Sequence, residues 1–105
     1  MLRQRQPRQS DARYLAWLRT QRCACGCLRG PPCEAAHVRM ADHANNKTEA
    51  GTGRKPDDRF ALPLHWLCHR DQHAHGERDW WMRQGVTDPV ALALAYYTTF
   101  CTEKG

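Results

Sequence analysis

The residues from His65 to Trp81 carry a dense group of metal-binding side chains, in the sequence HWLCHRDQHAHGERDWW. His65 and Cys68 are separated by two residues, a spacing that lets both side chains bind one metal ion from a tight turn. His69 follows directly, and His73 comes four residues later, so both rings fall on one face of a helix. The stretch predicts a metal-binding turn that continues into a helix, where His69 and His73 bind a second ion or the same one.

A second group of potential ligands lies upstream, where four cysteines fall within eleven positions. These are Cys23, Cys25, Cys27 and Cys33. Glycines and prolines between them favour the tight turns of a metal-binding knuckle. Any two of the first three form a possible chelating pair, and the three intervening residues favour Cys23 with Cys27. Together with His65 and Cys68, this pair predicts a structural zinc site.

The composition indicates one small domain reinforced by metal. A chain of 105 residues with long loops buries a thin core, and six cysteines and six histidines offer ligands that stabilise it. The N-terminus has no apolar secretory signal, and no apolar stretch is long enough to span a membrane. We therefore expect a cytoplasmic protein, in which clustered cysteines favour metal over disulfides. Cys33 and Cys101 are interpreted as small apolar residues.

The net charge of +5 is concentrated at the N-terminus. Residues 1–22 carry six arginines and one aspartate, whereas the ten basic and ten acidic residues of the remainder cancel. Residues 1–9 are predicted to form a flexible basic arm, and residues 10–105 a single domain. Such arms commonly bind nucleic-acid phosphates, and the alternative is a solvated tail with no binding role.

Three helices are expected to position these residues. Ser10 is the predicted N-cap of a short first helix, and Thr87 that of a final, largely apolar helix that should be buried. Between them, a helix is expected from about residue 66 to residue 84. Gly85 suits the C-terminal cap of that helix.

Two short strands are predicted at residues 35–40 and 60–64, joined by a long polar loop. His37 lies in the first strand. Arg54 and Lys55 lie in the loop, within GTGRKP, where flexible backbone and two positive charges suit contact with phosphate. That segment is too short for a nucleotide-binding P-loop and lacks its serine or threonine.

The order of knuckle, strand, loop, strand, metal-binding turn and helix resembles the ββα-metal nucleases of the HNH superfamily. The resemblance is closer to the phage and prophage branch that includes the recombination enhancement nuclease Ref and YbcO-type nucleases. It rests on EAAHVRM (34–40), GTGRKPDDRFALPL (51–64), CHR (68–70) and QH…GER…W (72–80), and covers roughly residues 14–82. The fold that it implies is α+β, a small zinc-stapled ββα-metal domain with flanking N- and C-terminal helices.

The resemblance also implies a reaction. A histidine on the first strand is the general base in these nucleases, and His37 stands at that position; imidazole accepts a proton near neutral pH. The hydroxide formed from water would attack the phosphorus. A single divalent metal, Mg²⁺, Mn²⁺ or Zn²⁺, bound by His69 and His73 would polarise the phosphate and stabilise the leaving 3′ oxygen. Three basic residues are expected to neutralise phosphate charge: Arg54, Lys55 and Arg70.

The chain departs from the family pattern at several site residues. Ala36 stands where the wider superfamily often has a metal-binding aspartate. Phe60 stands where the middle asparagine is expected, and its orienting role is assigned to Asp58. The usual CxxC of the knuckle is a more crowded CACGC. His65 stands where the family commonly has cysteine, which gives a zinc site of three thiolates and one imidazole.

The expected function is therefore metal-dependent endonucleolytic hydrolysis of DNA, in phage or prophage recombination or DNA processing in a bacterial host. DNA is the expected partner, with a DNA-coating recombination protein as a further one; a membrane and a small-molecule substrate are not expected. The alternative is a non-catalytic, zinc-stapled nucleic-acid-binding module. In that case His69 and His73 join the zinc site or face solvent, and His37 only packs. The two hypotheses differ in whether the histidines form a cluster apart from the cysteines.

Overall fold

The computed structural model describes residues 11–27, 29–40 and 57–104. The predicted arm of residues 1–9, together with Ser10, Arg54 and Lys55, lies outside these ranges. The described elements, in chain order, are α1 (Ala12–Arg19), β1 (Glu34–His37), β2 (Ala61–Leu64), α2 (Trp66–His75), α3 (Glu77–Arg83) and α4 (Pro89–Lys104). The predicted α+β class is confirmed, with a strand–strand–helix order at the centre and helices at both ends.

The two strands form an antiparallel sheet that is packed on both faces. Successive residues of a strand point to opposite faces. One face packs toward α2 and α3, in a cluster that includes Ala36, Leu62 and Trp80. The other face packs toward α1 and α4 through Ala35 and Ala61. The short strands are therefore stable because helices cover both sides of them.

The register of this sheet places two site residues on opposite faces of β1. Glu34 pairs with Leu64 and His37 with Ala61. Since Glu34 is two residues from Ala36, it shares the face that packs toward α2. His37 occupies the face toward α1, at the end of the strand.

Aspartates, not hydroxyl residues, cap the two terminal helices. Asp11 Oδ1 accepts the Tyr14 backbone N–H at 3.0 Å at the start of α1. Asp88 Oδ1 accepts the Ala91 backbone N–H at 3.0 Å at the start of α4. The predicted cap at Thr87 is therefore one residue early, because a short carboxylate bonds the N–H three residues later equally well.

The helix predicted for residues 66–84 is two helices. Gly76 separates α2 from α3 with φ of +84°, a backbone conformation that residues with a Cβ rarely adopt. Asp71 Oδ2 accepts a hydrogen bond from Trp80 Nε1 at 2.8 Å and ties the two helices together. Gly85, with φ of +81°, follows α3 as the cap prediction requires.

The first strand is shorter than predicted, because two of the backbone N–H groups after it bond to a side-chain carboxylate and not to the neighbouring strand. The Glu77 carboxylate accepts the backbone N–H groups of Arg39 and Met40 at 2.8–3.1 Å. Val38 still donates its N–H to the Phe60 carbonyl at 2.8 Å. β1 therefore ends at His37, and the chain beyond it is attached to the start of α3.

Only one side of α4 is buried. Val90, Ala93 and Phe100 pack inward. Cys101, interpreted from the sequence as a small apolar residue, is exposed. No helix in the described ranges has the length and apolar character needed to cross a membrane.

Candidate functional site

Four thiols lie close enough together to share one metal ion. The Sγ atoms of Cys23, Cys25, Cys27 and Cys68 all lie within 4.8 Å of one another. The distances are 3.3 Å from Cys23 to Cys25, and 3.6 Å from Cys68 to both Cys25 and Cys27. Four sulfurs around a tetrahedral zinc ion are about 3.8 Å apart, since each Zn–S bond is about 2.3 Å. The residues present therefore fit a structural zinc ion.

The knuckle that carries three of these thiols is held against the end of β2. Gly26 has φ of +82° and permits a tight reversal within CACGC. The Ala24 N–H donates to the Pro63 carbonyl at 2.8 Å, and the His65 N–H donates to Cys23 Sγ at 3.3 Å. These bonds bring the knuckle to the first turn of α2, where Cys68 lies.

Cys25 takes the place in this group that was predicted for His65. His65 caps α2 instead, because its Nδ1 accepts the Leu67 N–H at 3.2 Å. Its ring stacks on Trp66, with centroids 6.0 Å apart. The preference for three intervening residues overlooked the Gly26 turn, which brings all three knuckle thiols together.

Burial and hydrogen bonding shift the pKa values of these thiols in different directions. Burial raises the pKa of Cys68 to about 11, and burial followed by the hydrogen bond with Cys23 raises the pKa of Cys25. Burial acts the same way on Cys27, but hydrogen bonds from the Arg29 backbone and from neighbouring thiols outweigh it and lower the pKa to about 7. A metal ion binding here must displace protons from the thiols.

Arg29 and Cys33 lie next to the four-thiol group. Arg29 Nη1 lies 3.3 Å from Cys68 Sγ, where its charge favours the thiolate. Cys33, interpreted from the sequence as a small apolar residue, is buried in the adjacent core, and burial raises its pKa to about 11. Cys33 does not belong to the four-thiol group.

His37 and Asp58, predicted as general base and orienting residue, are in direct contact. His37 Nε2 lies 2.8 Å from Asp58 Oδ1. Asp58 is 3% exposed, and its second oxygen accepts the Asp11 backbone N–H at 2.7 Å. When the carboxylate accepts the Nε2 proton, the lone pair of the ring is on Nδ1. Nδ1 of His37 is then the atom suited to take a proton from water.

His69 and His73 also meet, as their helical spacing predicted. Their Nε2 atoms are 3.2 Å apart, and the ring centroids are 4.8 Å apart. On the other side of His69, Nδ1 lies 2.8 Å from Glu34 Oε1. The sequence prediction missed this glutamate, although the two-residue step from Ala36 places it on the strand face toward α2.

One histidine of each group borders a cleft beside β1, with a volume of about 610 Å³. His37 and His69 line it, and so does Glu34. Arg19 and Arg39 add two cations that the sequence prediction did not single out. The histidines lie outside the four-thiol group, although Cys68 and His69 are consecutive residues of α2.

The third predicted phosphate-binding residue, Arg70, has a different neighbour. Its guanidinium lies 5.6 Å from the centroid of the Trp66 ring. Trp66 is 45% exposed, so this pair forms part of the outer surface of α2. Arg70 is not among the described residues that line the cleft.

No family model, curated protein or solved structure matches this chain. The resemblance to HNH nucleases therefore stays a prediction from the sequence motifs.

Proposed function

We propose that this protein is a metal-dependent endonuclease that hydrolyses DNA phosphodiester bonds with an HNH-type ββα-metal site. The observation that carries the proposal is the cleft that His37 and His69 line together, apart from the four-thiol group. A purely structural zinc module needs the thiols alone. It gives no reason for a carboxylate-bound histidine and a member of a histidine pair to border the same cleft.

In the proposed reaction, His37 acts as the general base. Asp58 holds the ring through Nε2, so Nδ1 accepts a proton from a water molecule. The hydroxide attacks the phosphorus, and the bond from phosphorus to the 3′ oxygen breaks. The leaving oxygen then takes a proton from solvent.

His69 and His73 are the residues that would bind the catalytic metal, through their adjacent Nε2 atoms. A bound divalent ion supplies Lewis-acid polarisation of the phosphate and stabilises the charge on the leaving oxygen. Arg19 and Arg39, which line the same cleft, would bind the phosphates of the substrate. On the basis of the resemblance, the proposed role of this activity is phage or prophage recombination or DNA processing.

A nicking assay on wild type and His37→Ala tests this proposal. Supercoiled, linear and single-stranded DNA are offered to zinc-loaded protein with Mg²⁺, Mn²⁺ or Zn²⁺, and zinc content is measured in parallel. We expect His37→Ala to lose about 10²–10⁴-fold in rate, the usual contribution of a general base, and to keep its zinc. His75→Ala is the matched control, because His75 is an exposed histidine of α2 that bonds to Asp71.

Two outcomes would contradict the proposal. Folded, zinc-loaded wild type that cuts none of these substrates with any of the three metals favours the binding-module alternative. Equal rates for wild type and His37→Ala would trace the cleavage to another residue or to a contaminant.

A further inference from the structure

We infer that Glu34 is a positioning residue for the histidine pair, and that the pair held in this way selects a transition metal ion over magnesium. The inference deepens the proposed function, because it concerns the same metal site. Glu34 Oε1 lies 2.8 Å from His69 Nδ1, across 35 positions of sequence. The Glu34 side chain is 55% exposed, and exposed ion pairs add little to stability. The main effect of the contact is therefore on the orientation and the tautomer of His69.

The carboxylate determines which nitrogen of His69 is free. A carboxylate only accepts hydrogen bonds, so it selects the form of His69 with a proton on Nδ1. The lone pair is then on Nε2, the atom that points at His73. Carboxylate–histidine–metal arrangements fix ligand orientation and raise ligand basicity in this way.

The distance between the two Nε2 atoms suits a shared ion. Metal–imidazole bonds of about 2.0–2.1 Å place two ligating nitrogens about 2.8–3.4 Å apart, for angles between octahedral and tetrahedral. The observed separation is 3.2 Å. The same separation allows His73 Nε2–H to donate to His69 Nε2, so the lone pair of His69 faces His73.

The chemistry of the donors indicates the class of metal. Ala36, on the same strand face as Glu34, brings no oxygen ligand to the site. The carboxylate of Glu34 contacts the far nitrogen of His69. Two imidazoles suit zinc and similar transition metals, whereas magnesium requires oxygen ligands in near-octahedral geometry.

Cobalt(II) titration of the zinc-loaded full-length chain tests this inference without DNA. Binding at a histidine site is followed by visible d–d absorption, and cobalt at the thiols is recognised by its sulfur charge-transfer band. We expect wild type to bind one cobalt ion beyond its zinc, and His69→Ala to lose it. Glu34→Gln should bind about 10–100-fold more weakly, the usual effect of removing such a partner. Glu103→Gln, which changes an exposed glutamate of α4, should bind as wild type does.

A second measurement reports the role of Glu34 directly. Long-range ¹H–¹⁵N spectra of the imidazoles should show the His69 proton on Nδ1 in wild type and mainly on Nε2 in Glu34→Ala. Cobalt binding as tight in Glu34→Gln as in wild type would overturn the inference, and so would displacement of cobalt by millimolar magnesium. A protein whose cobalt affinity falls in Glu34→Gln as expected but that cuts no DNA would refute the nuclease and leave this inference intact.

Discussion

The side chains of His37 and Asp58 lie 2.8 Å apart, so residues 21 positions apart in sequence form one hydrogen-bonded pair beside the cleft. The second Asp58 oxygen accepts the backbone N–H of Asp11. Asp11 also caps α1 and accepts a hydrogen bond from the Tyr97 hydroxyl at 3.2 Å. The orientation of His37 therefore depends on α1 and α4 as well as on the sheet.

Asp58→Asn should slow DNA cleavage while leaving the zinc content unchanged. An amide can donate as well as accept, so it no longer imposes a proton on Nε2 of His37. We expect a loss of at least about tenfold, within the 10²–10⁴-fold that a general base contributes. Nicking rates measure the effect. Asp57→Asn is the matched control, since the Asp57 carboxylate pairs with Arg59 at 3.6 Å, and its rate should be close to that of wild type.

Cys25→Ser should cost the protein its zinc, whereas His65→Asn should retain one zinc ion per chain. Cys25 belongs to the four-thiol group, while His65 caps a helix, a role that asparagine also fills. Loss of a ligand should also lower the melting temperature, because metal binding and folding are coupled in small domains. Cys33→Ser, at a buried thiol outside the group, controls for the cysteine change. Zinc retained by Cys25→Ser and lost by His65→Asn would restore the ligand set predicted from the sequence.

The apparent affinity for zinc should rise steeply with pH. At pH 8, Cys27, with its pKa near 7, is mostly thiolate in the metal-free protein, while Cys68, with its pKa near 11, is protonated. Cys25, whose pKa is also raised, is protonated as well. Zinc binding then releases protons from at least these two thiols, so the affinity should increase at least about 100-fold per pH unit. Competition with a zinc chelator at pH 7.5, 8.0 and 8.5 measures this slope, and a flat profile would contradict it.

Gly76→Ala should destabilise the domain by about 1–3 kcal/mol. A Cβ at this position meets no atom within 4 Å, so the cost comes from the φ of +84°. Gly30→Ala is the matched control, because a Cβ there also meets no atom within 4 Å and no positive φ is required. That variant should be neutral or slightly stabilised, through lower entropy of the unfolded chain. Urea unfolding of zinc-loaded protein compares the two, and equal stabilities would refute the role given to Gly76.

The features of this protein that depend on the spacing of residues close together in the chain could be predicted from the sequence. The i, i+4 step brings His69 and His73 together, and the strand–strand–helix order follows from the apolar pattern. The helix break at Gly76 was missed because the sequence does not reveal which φ a glycine inside a helical pattern adopts. Cys25 was missed because the number of intervening residues does not describe the path of a turn that contains glycine.

Contacts between distant segments are harder to predict. Asp58 was assigned its role through a resemblance, and the structure places it beside His37. The contact of Glu34 with His69 joins a strand to a helix across the loop, so it depends on the tertiary fold. Arg19 and Arg39 border the cleft for the same reason, and their sequence neighbourhoods carry no signal of it.

Cys68 and His69 are joined by a single peptide bond on the first turns of α2. Cys68 belongs to the thiol group, and His69 belongs to the histidine pair. If both are filled as proposed, zinc must be acquired first, since it fixes the turn from which His69 projects. Newly synthesised chains in a zinc-starved cell would then remain inactive whatever other ions were present. The supply of one nutrient metal would thus control when the proposed cleavage of DNA takes place, without a dedicated regulator.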